Sequence, residues 1–216
     1  MFEFSYFKVG DHVGIGYYID SCLTCDACSN NEENVCEKGN TSTACSAIKY
    51  GRINTDNGRY TYGGFSGKIT AHRRYLTKIN KSYPLQLAGP IFCSGITMFA
   101  PLKRFGATKG GLNVGILGLG GLGQMGLKLA KAMGNTVTAI STNRKKEATA
   151  RELGADNFVV SSDPESMAAA KGSLNLILNT ISGAHQVSLY FPLMKRNGTV
   201  VQLGAVFEPM MVSCIY

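Results

Sequence analysis

A predicted strand, glycine-rich turn and helix in the middle of the chain constrain the fold most. An apolar run over residues 112–117 leads into Gly118, Gly120 and Gly123, spaced as G-x-G-x-x-G, and helical apolar spacing continues to Gly134. In such a turn the first glycine allows a tight bend, the second leaves room for a pyrophosphate, and the third lets helix and strand pack closely. The bare motif is a weak signal, but with this context it predicts a dinucleotide site at the helix N-terminus.

Strands and helices alternate through the second half of the chain. Beyond the glycine turn we expect strands at 136–140, 158–160, 174–178 and 199–203, and helices at 144–153, after Asp163-Pro164, and from about Ala184 to Arg196 with a break near Pro192. This alternation predicts a parallel sheet with helices on both faces. The predicted fold class is therefore α/β, an incomplete doubly wound Rossmann sheet over residues 89–216.

Four cysteines near the start of the chain form the second informative feature. Cys22, Cys25, Cys28 and Cys36 have the spacing C-x2-C-x2-C-x7-C, which can place four thiolates around one tetrahedral Zn²⁺. An iron-sulfur site favours a tighter last spacing and a proline where Glu37 stands. Residues 20–38 carry almost no apolar side chains, so a metal would supply the cohesion of this lobe. Four sulfur ligands leave no open coordination position, which predicts a structural zinc; the alternative is four unrelated buried thiols.

Short strands and frequent turns are expected over the first 85 or so residues. We expect a strand within residues 9–16, two strands around residues 69 and 75–79, and a polar surface loop over 39–59 with a turn at Asn57-Gly58. Cys45 would be a free buried thiol. The apolar segment 84–101 has helical spacing and links the two parts of the chain. By pattern alone, Cys93 packs as a small hydrophobic residue, and the hydroxyl of Thr97 is hydrogen-bonded within the helix.

Composition limits the function classes. The hydrophobic content of 44% predicts a globular protein with a real core, and the net charge of +8 raises the question of a polyanionic partner. The basic residues are scattered, with tight clusters only at 73–74, 103–104 and 144–146, so we expect a small anionic ligand and no nucleic acid. No run approaches the ~20 apolar residues of a membrane span, and the start lacks a secretory signal, so we expect a cytoplasmic protein.

The residues beyond the second strand favour NADP(H) over NAD(H). An NAD site usually carries an acidic residue about 20 positions beyond the glycines. Here Ser141 lies 18 positions after Gly123 and no carboxylate follows it directly; the next residues are Thr142, Asn143, Arg144, Lys145 and Lys146. Hydroxyls and cations can pair with a ribose 2′-phosphate. The alternative is that these residues form only the solvated first turn of the next helix.

The order of these motifs resembles that of a known enzyme family. The shared motifs are the four-cysteine lobe, Gly63-Gly64-Phe65, residues 93–97 with Pro101-Leu102, the turn 118–123, and Ile140-Ser141-Thr142. From about Phe7 to Pro209 the chain resembles the zinc-dependent medium-chain dehydrogenases/reductases, specifically the NADP-dependent cinnamyl-alcohol-dehydrogenase-like alcohol dehydrogenases. The resemblance implies a partial GroES-like domain over residues 1–88 with its zinc lobe at 20–38, then a Rossmann domain over 89–216, with substrate between them. It implies reversible hydride transfer between NADP(H) and an alcohol or aldehyde, with a catalytic zinc as Lewis acid.

The resemblance also implies site residues. Cys93 matches a catalytic-zinc ligand, and the positions that match cofactor contacts are Thr97, Gly118, Leu119, Gly120, Gly121, Leu122, Gly123, Ser141, Thr142, Asn143, Arg144, Lys145, Lys146, Thr180 and Gly204. The family's other catalytic-zinc ligands, a cysteine and a histidine beside a Gly-His-Glu motif, precede the equivalent of Phe7 and have no match here. His12, His72 and His185 do not occupy the missing position and are expected to be surface or packed residues.

The resemblance ends before the family's full length does. The chain stops after the fifth Rossmann strand, residues 211–216 match nothing recognisable, and the family's dimer contact uses later strands, so a homodimer is doubtful for this chain. We therefore expect a truncated dehydrogenase. The alternatives are an inactive, zinc-stabilised nucleotide-binding remnant and a zinc-free quinone-reductase-like protein, which the cysteine lobe opposes.

Overall fold

The computed structural model describes residues 6–47, 60–210 and 212, and the chain divides into two compact units, Met1–Cys93 and Ser94–Tyr216. The division falls after Cys93, whereas the sequence suggested a boundary after Ala88. Gly89–Phe92 forms a 3₁₀ turn of the first unit because the Phe92 ring lies directly against the backbone of Gly14. The turn expected at Asn57-Gly58, the Cys45 side chain, residue 211 and residues 213–216 lie outside the described residues.

The first unit consists of short antiparallel strand pairs. β1 (Val13–Ile15) pairs with β6 (Leu76–Lys78), β2 (Tyr18–Asp20) with β3 (Thr41–Ser42), and β4 (Ala44–Ala47) with β5 (Tyr60–Tyr62). A short helix, α1 (Asp26–Ser29), and a 3₁₀ turn, Glu33–Val35, lie between β2 and β3 in the chain.

Two details of the first unit differ from the prediction. Ile69 belongs to no strand, and the predicted loop 39–59 begins with β3 and β4. These polar strands form because tertiary pairing outweighs their composition. The Thr43 backbone N–H donates to Tyr17 O at 2.7 Å, and the Thr61 hydroxyl donates to Ser42 O at 3.0 Å.

The second unit is a five-stranded parallel sheet with helices on both faces. The strands are β7 (Asn113–Leu117), β8 (Thr136–Ser141), β9 (Asn157–Val160), β10 (Leu174–Asn179) and β11 (Met194–Gln202), in the order β11-β10-β7-β8-β9. The helices are α2 (Ser94–Arg104), α3 (Gly121–Ala132), α4 (Glu147–Glu152) and α5 (Pro164–Ala169). The winding direction reverses between β7 and β10, as in a Rossmann fold, which confirms the predicted α/β class.

Successive side chains of each strand point to opposite faces of the sheet, and each face packs in its own apolar layer. Val114, Ile116 and their neighbours pack against α2, α3 and α4, with Met98, Leu127 and Ala150 fully or almost fully buried. The other face of the sheet packs around a second set, which includes Met167 of α5 and residues of the 3₁₀ helix before β11: Leu117, Ile140, Leu174, Ile177, Tyr190 and Leu193. Burial of both faces explains the nearly continuous apolar strands of the sequence.

The segment before the last strand differs from the prediction. In place of a helix from Ala184 to Arg196, the structure has a 3₁₀ helix, Val187–Leu193, and β11 begins at Met194. Pro192 lacks the N–H that a longer helix would need. The β10–β11 register then shifts between Leu174 and Leu176, where Asn197 adopts a φ of 61°, so a bulge lies within a strand that the sequence suggested would start at Thr199.

In the described part of the chain, no single helix is long and apolar enough to cross a membrane. One bent pair, Leu85–Phe92 followed by Ser94–Arg104, reaches the criterion only when the two are taken together, by length and composition alone.

Candidate functional site

The carboxyl ends of the central strands bring several of the predicted cofactor positions of the second unit together. Asn179 lies opposite Leu117 in the sheet register, and the residues that follow these strands are linked by hydrogen bonds. Thr180 Oγ1 donates to Leu117 O at 2.9 Å and is 3.2 Å from Gly118 O, while Gly204 N donates to Asn179 O at 3.1 Å. This edge, at the point where the winding reverses, is where open α/β sheets bind their ligands.

The glycine turn has the geometry that the motif requires. Gly118 has a φ of 89°, a conformation that favours glycine. A Cβ at Gly123 would overlap the carbonyl oxygen of Gly118, whereas a Cβ at Gly120 or Gly121 would meet no protein atom within 4 Å. Gly123 therefore serves close packing, and Gly120 leaves open space beside the backbone.

The turn leads directly into α3, whose N-cap is Gly120. The cap makes no side-chain hydrogen bond, and the first bond of the helix runs from Gln124 N to Gly120 O at 2.9 Å. The first amides of a helix have no partner within it, and they carry the positive end of its dipole. The start of α3, the kind of terminus at which proteins bind anions, thus lies beside the open space at Gly120.

The basic loop after β8 does not act as one uniform charged patch. Lys146 Nζ lies 3.3 Å from Leu119 O in the glycine turn. The Arg144 guanidinium instead pairs with Glu147 at 2.8 Å, and Glu147 also accepts from Arg151 at 2.9 Å. Hydrogen bonds from Arg151 and then Arg144 lower the pKa of Glu147, so this carboxylate stays charged and partly neutralises Arg144.

The other predicted residues of this loop order its backbone. Asn143 accepts from Lys145 N at 3.1 Å and caps the 3₁₀ turn Arg144–Lys146, while Ser162 donates to Thr142 O at 2.6 Å. Ser141 closes β8 and is half-buried. The loop is therefore held close to the glycine turn with Lys146, rather than Arg144, directed at it.

A polar network that sequence analysis missed lies at the ends of β10 and β11. Asn179 is fully buried, and its Nδ2 lies 2.7 Å from His185 Nε2 and 2.5 Å from Gln202 Oε1. Gln202 Nε2 donates to the carbonyls of Ile181 and Gly204 at 3.0 and 2.9 Å. Sequence analysis left His185 as a surface or packed residue, because only the register of the two strands brings these side chains together.

A cavity of about 530 Å³ lies along β8, β9 and α5. It is lined by Arg144, Phe158 and Asp163 among others, but by no other residue predicted to bind the cofactor. Most of the predicted cofactor residues lie instead at the strand ends, in the glycine turn and in the loop after β8.

In the first unit, the four cysteines of the predicted zinc lobe converge. Cys22, Cys25, Cys28 and Cys36 are all buried, and their sulfur atoms lie within 4.8 Å of one another. The Cys22–Cys28 and Cys25–Cys36 sulfur separations are 3.8 and 4.0 Å. A tetrahedral ZnS₄ centre with Zn–S bonds of about 2.3 Å needs sulfur separations of about 3.8 Å. The four thiols therefore fit one zinc ion.

The surroundings of the cysteines supply further hydrogen bonds. The backbone N–H groups of Thr24 and Cys25 donate to Cys22 Sγ at 3.4 and 3.3 Å, and these bonds, that of Thr24 foremost, lower the pKa of Cys22 to about 5. Burial raises the pKa of Cys28 to about 11, although its sulfur lies 3.3 Å from the Ser21 hydroxyl. Within the described part of the chain, Ala27 is the one partly buried hydrophobe that packs against the four cysteines, so the thiols themselves form the core of the lobe.

The remaining predicted residues lie outside this cluster. Cys93 is exposed at the end of the 3₁₀ turn Gly89–Phe92, and Thr97 is half-buried on α2. Among the described residues, the cysteine lobe is the one group of three or more His, Cys, Asp or Glu side chains placed to share a metal. Cys93, His12, His72 and His185 are not part of it.

Comparisons with known proteins relate this chain to zinc-binding alcohol dehydrogenases. A family model described as "Zinc-binding dehydrogenase" matches residues 121–214. A putative cinnamyl alcohol dehydrogenase of Oryza sativa subsp. japonica is 44% identical over 199 residues, which cover 92% of this chain and 54% of the relative. A probable cinnamyl alcohol dehydrogenase of Arabidopsis thaliana is 42% identical over 210 residues, which cover 97% of this chain and 56% of the relative.

Solved structures of cinnamyl alcohol dehydrogenases are also similar to this chain. A cinnamyl alcohol dehydrogenase from Sorghum bicolor superimposes with a TM-score of 0.87 at 38% identity, covering 97% of this chain and 58% of that one. A Helicobacter pylori cinnamyl alcohol dehydrogenase complexed with NADP(H) matches with a TM-score of 0.78 at 33% identity, covering 92% of this chain and 55% of that one.

The chain belongs to the zinc-dependent medium-chain dehydrogenases/reductases. Within that family it is similar to the cinnamyl-alcohol-dehydrogenase-like members, which confirms the resemblance inferred from the motifs. The chain spans about half the length of the relatives it matches.

Proposed function

We propose that this chain is the zinc- and NADP(H)-binding part of an alcohol dehydrogenase that transfers a hydride between NADP(H) and a primary alcohol or aldehyde. The main support for this proposal is the convergence of Gly118, Thr180 and Gly204 at the edge of the sheet where its winding reverses. The names of the relatives support an oxidoreductase and give no support to an inactive remnant.

The residues of the glycine turn would hold the dinucleotide by its phosphates. Gly120 leaves space for the pyrophosphate, and the amides of Gly121, Leu122 and Gly123 at the start of α3 would donate to it. The hydroxyls of Ser141 and Thr142 would bind the ribose 2′-phosphate together with Lys146, whose ammonium already reaches the turn. The absence of a carboxylate from residues 141–146 favours NADP(H) over NAD(H).

Zinc would have a structural role in the four-cysteine lobe. Four sulfur ligands leave no position for a substrate, and the lobe has no apolar core of its own. By the family resemblance, Cys93 would supply one ligand of a separate catalytic zinc, which would act as a Lewis acid toward the substrate oxygen. Such a site needs three protein ligands, so Cys93 cannot form it alone.

The substrate is proposed as a small alcohol or aldehyde of the cinnamyl type, after the names of the relatives. One relative is a probable mannitol dehydrogenase of Medicago sativa at 41% identity over 208 residues, which cover 96% of this chain and 55% of the relative, so the substrate class is kept broad. No partner other than small molecules is proposed, and the cytoplasmic location remains a prediction from the sequence.

The test is to purify the 216-residue chain and measure its zinc content, its binding of NADPH and NADH, and its alcohol oxidation and aldehyde reduction. We expect one zinc per chain, tighter binding of NADPH than of NADH, and negligible turnover by this chain alone. Two zinc ions with NADPH-dependent aldehyde reduction would overturn the assignment of a single structural zinc. Failure of the zinc-loaded chain to bind either dinucleotide would refute the proposed function.

A further inference from the structure

Backbone groups fix the orientation of each side chain in the Asn179 network. The Ile181 N–H donates to Asn179 Oδ1 at 3.2 Å, so the Asn179 NH₂ group must face His185 and Gln202. The Gln202 amide is fixed in the same way, because its nitrogen faces the carbonyls of Ile181 and Gly204 and its oxygen faces Asn179. Neither amide can be turned over without placing two donors or two acceptors against each other.

These orientations determine the state of His185. Its Nε2 faces the Asn179 NH₂ group and must accept, while its Nδ1 lies 2.8 Å from Gly183 O and must donate. The ring is therefore neutral and carries its proton on Nδ1. The ring also packs edge-on against Tyr190, with 6.4 Å between the centroids.

The network holds two segments that border the proposed cofactor site. Asn179 and Gln202 are opposite each other in the β10–β11 register and together bind the backbone of Ile181 and Gly204. A Cβ at Gly204 would overlap the carbonyl oxygen of Ile181, so the two segments are in direct contact. Thr180, the residue between Asn179 and Ile181, reaches the carbonyl oxygens of Leu117 and Gly118 through its hydroxyl.

We propose that Asn179, Gln202 and the Nδ1-protonated His185 are positioning residues that fix the backbone of Thr180, Ile181 and Gly204 for binding of the dinucleotide. The inference rests on the proposed function for its ligand, since these side chains act through the backbone that they hold. Each of the three contributes by hydrogen bonding in one fixed direction, so an isosteric change of donor to acceptor should disrupt the network.

The test uses Asn179→Asp and Gln202→Glu, which keep the shape and the acceptor oxygen but remove the donors. The matched control is Asn135→Asp, because Asn135 is also buried and makes three hydrogen bonds to backbone groups, but around the start of the sheet. Two quantities are measured: the ¹⁵N NMR shifts of the His185 ring in mildly alkaline buffer, and the Kd for NADPH.

We expect the wild-type ring to be neutral and protonated on Nδ1 alone, and Asn179→Asp, which places an acceptor against Nε2 while Nδ1 still donates to Gly183 O, to protonate Nε2 as well. Asn179→Asp and Gln202→Glu should each weaken NADPH binding by roughly tenfold, the effect of one lost hydrogen bond, while Asn135→Asp should change the Kd by less than about twofold. A wild-type ring protonated on Nε2, or an equal loss of affinity in the control, would overturn the inference. If the wild-type chain does not bind NADPH, the proposed function itself fails; if it binds and Asn179→Asp has no effect, only this inference fails.

Discussion

The carbonyl oxygen of Gly118 occupies the space that a side chain at Gly123 would need. The strand end and the first turn of α3 are therefore in direct contact through backbone atoms. This contact makes the glycine turn a packing feature of the fold as well as a proposed phosphate site.

We expect Gly123→Ala to destabilise the second unit, because its methyl group overlaps main-chain atoms that cannot rotate away. The loss should be about 1–3 kcal/mol, the usual cost of overpacking. Gly121→Ala is the matched control, since its Cβ meets open space and alanine is the better helix former. Chemical denaturation of both variants measures the difference, and similar stabilities would contradict this view of the turn.

Gly120→Ala should separate ligand binding from folding. Gly120 has a φ of −78° and a ψ of −170°, which alanine adopts without strain, and its Cβ would meet no protein atom. We expect near-normal thermal stability but at least about a tenfold weaker binding of NADPH, because the methyl group enters the proposed pyrophosphate space. Unchanged affinity, measured by fluorescence titration, would place the phosphates elsewhere.

The basic loop should determine the choice between the two dinucleotides through Lys146 more than through Arg144. Lys146→Gln is expected to weaken NADPH binding by about tenfold or more with little change for NADH, the effect of losing one charged hydrogen bond to phosphate. Arg144→Gln should have a smaller effect, because Glu147 already holds that guanidinium. Lys128→Gln, an exposed change on α3, is the control. Equal losses for NADPH and NADH would remove the 2′-phosphate assignment.

Zinc content should follow the four cysteines of the lobe and not Cys93. We expect Cys22→Ser and Cys36→Ser to lower the bound zinc well below one per chain and to increase protease cleavage within residues 20–38, because the thiols form the core there. Cys93→Ser should retain the metal. Elemental analysis after gel filtration measures both, and loss of zinc in Cys93→Ser would contradict the assignment.

Asp156 should make the stability of the second unit depend on pH. Its carboxylate accepts from Lys131 Nζ at 2.5 Å and from the Val137 N–H at 2.8 Å, and these bonds, that of Lys131 foremost, lower its pKa below the usual 3.8. The stabilisation is therefore complete well above pH 3.8 and is lost as the pH falls through the lower folded value. We expect Asp156→Ala to cost about 1 kcal/mol at neutral pH and less in acid. A cost in denaturation experiments that does not vary with pH would exclude this carboxylate as the cause.

The sequence predicted the parts of the site that depend on short spacing. Gly118, Gly120 and Gly123 act over one turn, and the cysteine lobe requires only that 15 residues fold around one point. Both were therefore accessible without knowledge of the fold. The pairing of Arg144 with Glu147 is also local, three residues along a helical turn, but the sequence analysis assigned Arg144 to phosphate without weighing it.

Features that depend on strand register could not be predicted in this way. Asn179, His185 and Gln202 meet only because β10 and β11 are aligned in one particular register after a bulge at Asn197. The same bulge and the 3₁₀ helix Val187–Leu193 explain why β11 starts earlier than its apolar pattern indicates. The division after Cys93 likewise follows from a tertiary contact, that of Phe92 with Gly14, which no local pattern encodes.

The composition of the cysteine lobe's core also bears on how this protein would respond to oxidants. Because the four thiols are both the proposed ligands and the buried centre of their segment, peroxide or a disulfide exchange reagent that modifies one of them would remove metal and core in a single event. The parallel sheet packs against two separate aliphatic layers, so no single modification of this kind would affect both. Oxidation of a lobe cysteine would therefore disrupt that whole segment, at residues that a purely thermal transition does not single out.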